Sequence, residues 1–135
     1  LVLLCRSRGA ANTYLPGGHI DFGESARVAL KREIREELGL DCTVGRFLGG
    51  AEHTFVQKGR MHCEINLVFA LEAAGLRGGA PVASREAQIS FAWARAGELA
   101  AASLEPHPLC ALIPRWLTAG ADGTFASTYP TERPQ

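Results

Sequence analysis

An α/β architecture follows from three features of this 135-residue chain: a short apolar run at 1–5, one uninterrupted amphipathic helix at 26–38, and β-rich segments on both sides of a turn at 57–60. Strand and helix periodicities alternate along the chain, the pattern of a sheet covered by helices. With 47% hydrophobic residues there is room for one core, and a single domain over 1–119 is expected.

Leu1, Val2, Leu3, Leu4 and Cys5 read as a strand buried on both faces. Residues 7–12 form a loop with Gly9, and Tyr14 either packs beside the strand or stacks on a base. Pro16-Gly17-Gly18 and Gly23-Glu24 supply a backbone that can turn sharply and come close to a ligand. His19, after the paired glycines, either touches a phosphate or is solvated. Ser25 suits an N-cap, nothing interrupts 26–38, and Gly39 stands where a left-handed residue ends a helix.

At about 100° per residue, Leu30, Ile34 and Leu38 form an apolar stripe on this helix, while Glu33, Glu36 and Glu37 share another arc. Like-charge pairs at such spacings cost roughly 0.2–0.5 kcal/mol each. The cluster therefore either solubilises an exposed helix or holds a hard cation such as Mg²⁺, which takes oxygen ligands.

Beyond the helix, 41–56 contains short β-rich runs broken at Gly45 and Gly49-Gly50, Gln57-Lys58-Gly59-Arg60 is a turn, and 61–70 returns as a strand to make a hairpin. In the returning strand Cys63, Ile65, Leu67 and Phe69 are expected on the core face. His62, Glu64 and Asn66 point the other way, toward solvent or a pocket.

Residues 75–84 form a loop, 88–94 a strand and 97–99 a helical turn, with Glu86 just before the strand. A C-terminal helix over 108–119 carries Leu109, Leu112, Ile113, Trp116 and Leu117 on a broad apolar face, with a break or kink at Pro114. Trp93 and Trp116 are expected in the core. From 120 to 135 the composition turns to Gly, Ser, Thr and Pro, and a poorly ordered tail is expected.

The 14 basic and 14 acidic residues cancel. No nucleic-acid polymer is expected as an obligatory partner, whereas a nucleotide stays open. Cys5, Cys42, Cys63 and Cys110 lack C-x-x-C spacing, which argues against zinc and disulfides and for thiols in a reducing, cytoplasmic setting. No apolar run approaches the roughly 20 residues of a membrane span, no signal-peptide pattern opens the chain, and no membrane partner is expected.

Gly18, five residues, Glu24, seven residues and then Arg32-Glu33-Ile34-Arg35-Glu36-Glu37-Leu38-Gly39-Leu40 resembles the Nudix box of the Nudix hydrolases at every defining position. The resemblance implies an α/β/α sandwich, with a mixed, curved β-sheet between the box helix and the C-terminal helix, and some chain ahead of the first strand. It implies dependence on Mg²⁺, with Mn²⁺ as a substitute. Glu33, Glu36 and Glu37 match the family's metal-binding carboxylates, and Gly17 is placed to offer its carbonyl. Glu33 or Glu86 would be the general base. Glu24 paired with Arg32 would hold loop to helix and so orient the metal ligands.

His19, Glu64 and Asn66 are the candidates for substrate contact. The implied reaction is hydrolysis of the pyrophosphate linkage in a nucleoside diphosphate joined to another moiety, a nucleoside triphosphate or sugar nucleotide foremost. A proline that marks the ADP-ribose branch has no counterpart near Thr54-Phe55-Val56. A catalytically silent nucleotide sensor and an enzyme acting on RNA 5′ ends are the alternatives. Nudix proteins are often dimers, and the apolar strand at 1–5 could pair across a homodimer interface.

Overall fold

The computed structural model describes residues 1–120 and 123–127. In chain order these form β1 (Val2–Ser7), α1 (Ala26–Leu38), β2 (Cys42–Gln57), β3 (Arg60–Ala73), β4 (Ile89–Ala94), a 3₁₀ turn (Ala96–Glu98), α2 (Leu109–Ala119) and β5 (Phe125–Ser127). The class is mixed α/β, and the strands divide between two sheets, β1–β4 and β3–β2–β5. Among the described residues no helix is long and apolar enough to cross a membrane.

β1 runs on to Ser7 and pairs antiparallel with β4, from Val2 opposite Ala94 to Ser7 opposite Ile89. Beside it, Cys5 and Tyr14 exchange backbone hydrogen bonds of 2.8 and 2.9 Å. The strand expected to offer a dimer edge is thus flanked within its own chain. Tyr14 packs rather than presenting an open ring: its hydroxyl shares a 2.8 Å hydrogen bond with Ser7 Oγ.

The hairpin departs from expectation in two ways. Residues 42–57 are one strand, not several, because the glycine-rich stretch is absorbed as register shifts between Val44 and Phe47 and between Phe47 and Gly49. A two-residue turn closes it, with Lys58 at φ 50° and Gly59 at φ 73°, the doubly positive pattern whose twist suits paired strands. The second departure is the face. Ile65 is 67% exposed, and Leu67 and Cys63 are also exposed, whereas His62, Glu64 and Asn66 are half-buried and lead to buried Val68. The apolar alternation lies outward and the polar alternation inward.

One core gathers Leu4, Ala51, Val68, Leu99, Leu104, Leu109, Leu112, Ile113 and Trp116. α2 continues through Pro114 and buries Leu109, Leu112, Ile113 and Trp116, but Leu117 is left exposed. Trp93 sits half-buried at the margin rather than in the core, its indole N–H donating to the Ala80 carbonyl at 2.8 Å. Part of the segment expected to be a poorly ordered tail is β5, parallel to β2 with Gly50 opposite Phe125. The rest of that expectation, at 121–122 and 128–135, lies outside the described residues.

Candidate active site

α1 starts and stops where its caps place it. Ser25 Oγ accepts from the Val28 N–H at 3.3 Å, and Gly39 adopts the left-handed conformation at φ 70° with its N–H bonded to the Arg35 carbonyl. Glycine at 39 also leaves space beside the helix end that the Arg85 guanidinium fills, and a Cβ there would make that side chain move. That open space lets the loop ahead of β4 dock on the helix end, where the Arg85 N–H donates to the Glu37 carbonyl at 2.7 Å. Glu86 is carried to the site by this docking.

The helix is tied to the preceding loop by one arginine. Arg32 grips Glu24 with both arms of its fork, at 2.6 and 3.3 Å, and donates to the His19 carbonyl at 3.0 Å. Its remaining nitrogen reaches Glu33 at 2.7 Å and Glu36 at 3.2 Å. The bonds to Arg32, helped by the Asp21 N–H, hold the Glu24 carboxyl below its ordinary range.

Glu37 falls on the inward stripe with Ile34 and Leu38 and is 6% exposed. Its pKa is raised to about 7, chiefly by burial and in smaller part by the charges of Glu33, Glu86 and Glu36, while the Gly17 N–H, 3.3 Å from Oε2, works in the opposite direction. Beside it, the Gly18 backbone lies so close to Glu33 that a Cβ would sit inside the carboxylate. Loop glycines therefore approach two neighbouring carboxylates, Gly17 toward Glu37 and Gly18 toward Glu33. The contact between Gly17 and Glu37 is made through the Gly17 N–H.

His19 is exposed, with Nε2 3.9 Å from Glu64 Oε1. Asn66 turns its amide toward the Ala51 carbonyl at 3.5 Å. Loop and hairpin thus meet at His19 and Glu64.

The sequence profile of the NUDIX domain family matches residues 1–112 of this chain. The chain belongs to the Nudix family. Within it, the chain is 47% identical over 45 residues to the CTP pyrophosphohydrolase of Escherichia coli (strain K12), a match that spans 33% of this chain and only 32% of that protein. The solution structure of the E. coli ORF135 protein matches with a TM-score of 0.53 at 26% identity, covering 87% of this chain and 81% of that one. The crystal structure of UDP-X diphosphatase matches at 0.56, with 20% identity over 92% of this chain and 59% of that one, a likeness of fold.

Nudix hydrolases generally use divalent metal ions, and the donor chemistry here fits one. Three carboxylates, Glu33, Glu36 and Glu86, repel a fourth that is buried, Glu37, and hard oxygen donors are what Mg²⁺ or Mn²⁺ takes. As they stand, no three acidic, His or Cys side chains among the described residues converge closely enough to hold an ion. Arg32 occupies Glu33 and Glu36, and Gly17 holds Glu37.

The inward face of the Nudix hairpin also carries a feature missed at the sequence level. His53 and Phe55 stack with centroids 5.4 Å apart, and Phe55 and His62 stack at 5.1 Å. Glu105 Oε2 lies 3.9 Å from His53 Nε2. The signal was present: a two-residue turn at Lys58-Gly59 sets Phe55 opposite His62 and His53 opposite Glu64. Nothing local to the sequence pointed to Glu105, which arrives from a distant loop.

Proposed function

We propose that this chain hydrolyses the pyrophosphate linkage of a nucleoside diphosphate joined to another moiety, a nucleoside triphosphate foremost, with Mg²⁺ and with Mn²⁺ as a substitute. The observation that carries this reading is the buried Glu37, surrounded by Glu33, Glu36 and Glu86 beside a glycine backbone. A pure nucleotide binder has no need of such a costly cluster. The 45-residue similarity to a CTP pyrophosphohydrolase supports a triphosphate as substrate, ahead of the sugar nucleotide.

Glu33, Glu36 and Glu37, with the Gly17 carbonyl, would hold the ion, which would neutralise the phosphate oxygens and acidify a bound water. Arg32, clamped on Glu24, keeps the loop against α1 so that the carboxylates face one place. The attacking water gives its proton to Glu33 or Glu86. His19, Glu64 and Asn66 contact the substrate, and the ring row of His53, Phe55 and His62 faces its base. The catalytic unit is assigned to 1–119 and to the cytoplasm, in keeping with four free thiols.

The direct test is phosphate release, after coupled phosphatase treatment, from a panel of nucleoside triphosphates, sugar nucleotides, ADP-ribose and dinucleoside polyphosphates, with Mg²⁺ and with chelator. Chelator-sensitive turnover of triphosphates is expected to exceed that of the other classes. Nucleotide binding without turnover anywhere in the panel would replace this reading with the silent sensor.

A further inference from the structure

We infer that the free edge of β3 is a two-fold interface with a second copy of this chain. The inference starts from the inverted hairpin. Among the described residues β3 is the terminal strand of its sheet, in the order β3–β2–β5. Its pairing with β2 is regular from Val68 to Arg60, the register shifts lying farther along β2. Its outward face presents Met61 at 74% exposure, Cys63, Ile65 at 67% and Leu67, with Val56 at 68% opposite Met61. Edge strands are ordinarily protected by lysine, proline or a bulge. Between Met61 and Leu67 this one has none of these, and no charge on its outer face.

The hairpin register says which backbone groups are unpaired. The two-residue turn makes Gln57 and Arg60 a hydrogen-bonded pair, and alternation then turns the N–H and C=O of Met61, Cys63 and Ile65 away from β2. A strand docking there must be extended, apolar on the same face, and complementary in charge. A second β3, antiparallel and centred on Cys63, meets all three conditions. Met61 then faces the partner's Ile65, His62 faces the partner's Glu64, and Arg60 faces the partner's Asn66.

The neighbouring two-fold registers are poorer. Centring on Met61 sets Arg60 against the partner's His62. Centring on Ile65 gives up the histidine–glutamate pairing and sets His62 against the partner's Val68. A self-complementary patch of this kind is what a closed two-fold dimer requires.

Two measurements on the 135-residue chain test the interface. Light scattering should give twice the chain mass, and Ile65→Lys, at a position already exposed and so harmless to the fold by circular dichroism, should weaken the dimer by roughly thirtyfold or more. Hydrogen-bonded antiparallel partners have Cα atoms about 5.5 Å apart, within disulfide range. Copper phenanthroline should therefore cross-link the wild type through Cys63, with Cys63→Ser abolishing the product and Cys42→Ser retaining it. A chain that stays monomeric up to ~100 µM, a dimer indifferent to Ile65→Lys, or oxidation that yields no Cys63-linked product would each overturn the assignment.

Discussion

The loop and helix from 17 to 39 and the hairpin from 42 to 73 are held by opposite kinds of interaction. In the first, side chains do the joining: one guanidinium reaches three carboxylates and a carbonyl, and a glutamate stands in the inward stripe. In the second, the backbone ladder joins β2 to β3 from Cys42 opposite Ala73 to Gln57 opposite Arg60, and apolar side chains are left outside. The loop and helix give up stability to concentrate charge at one point. The hairpin's ladder holds it without its outer side chains, which are free to serve another surface. Substitutions should therefore affect chemistry in one region and recognition in the other.

The largest effect is expected at Glu37. Glu37→Gln keeps the shape and the contact with the Gly17 N–H but removes the ionised oxygen, and kcat should fall a hundredfold or more, as for loss of a group at a metal site. The same substitution should raise the melting temperature of chelator-treated protein near pH 8, since it removes a buried charge. Loss of activity together with loss of stability would mean that Glu37 supports the fold and is not strained for function.

The pH dependence of stability should follow from the same residue. Its pKa is raised from 4.5 to about 7 in the folded chain, so folding favours the protonated form. Stability is then full below about pH 4.5 and is lost as pH rises through about 7, by about 3 kcal/mol. Chelator-treated protein should show this decline in denaturant melts. Excess Mg²⁺ should recover the loss above pH 7, and Glu37→Gln should flatten the profile. A profile unchanged by that substitution would place the titrating group elsewhere.

Arg32→Lys should lower activity by roughly ten- to a hundredfold, the usual effect of disturbing groups that orient metal ligands. A lysine keeps the charge but cannot grip Glu24 with a planar fork while reaching Glu33 and Glu36. A variant with near-normal kcat would reduce the brace to simple charge balance.

How well each region could be foreseen follows from the same contrast. α1, its caps and the Glu24 and Arg32 partners depend on spacings within 23 residues, and helical geometry converts such spacing directly into position; Glu37 departs from the arc expected for it with Glu33 and Glu36, because the buried side of α1 takes it in beside Ile34 and Leu38. The hairpin was legible as a hairpin, with its turn at 57–60. Its inward face was not, because the apolar rule assumes that the more hydrophobic alternation is the buried one. Ile65 and Leu67 break that assumption, and His62, Glu64 and Asn66 occupy the inner side. β5 escaped notice for another reason: residues 125–127 form a strand through pairing with Gly50, Ala51 and Glu52, a long-range contact that three residues of local propensity do not encode.

The smallest predicted effect belongs to the inward ring row. Phe55 lies between His53 and His62 in near-parallel stacks, with interplanar angles of 23° and 10°, so it organises the row as well as contributing a ring. Stacking of a base on such a surface is worth roughly 1–3 kcal/mol. Much of the row survives in Phe55→Leu, and KM for the favoured nucleotide should therefore rise roughly fivefold while kcat stays near its starting value. Binding in the ground state and in the transition state would then be affected equally, which is what a group remote from the phosphorus does. If instead kcat falls with KM unchanged, the ring row sets the geometry of the carboxylates on α1. The division between a catalytic helix and a recognising hairpin would then have to be abandoned.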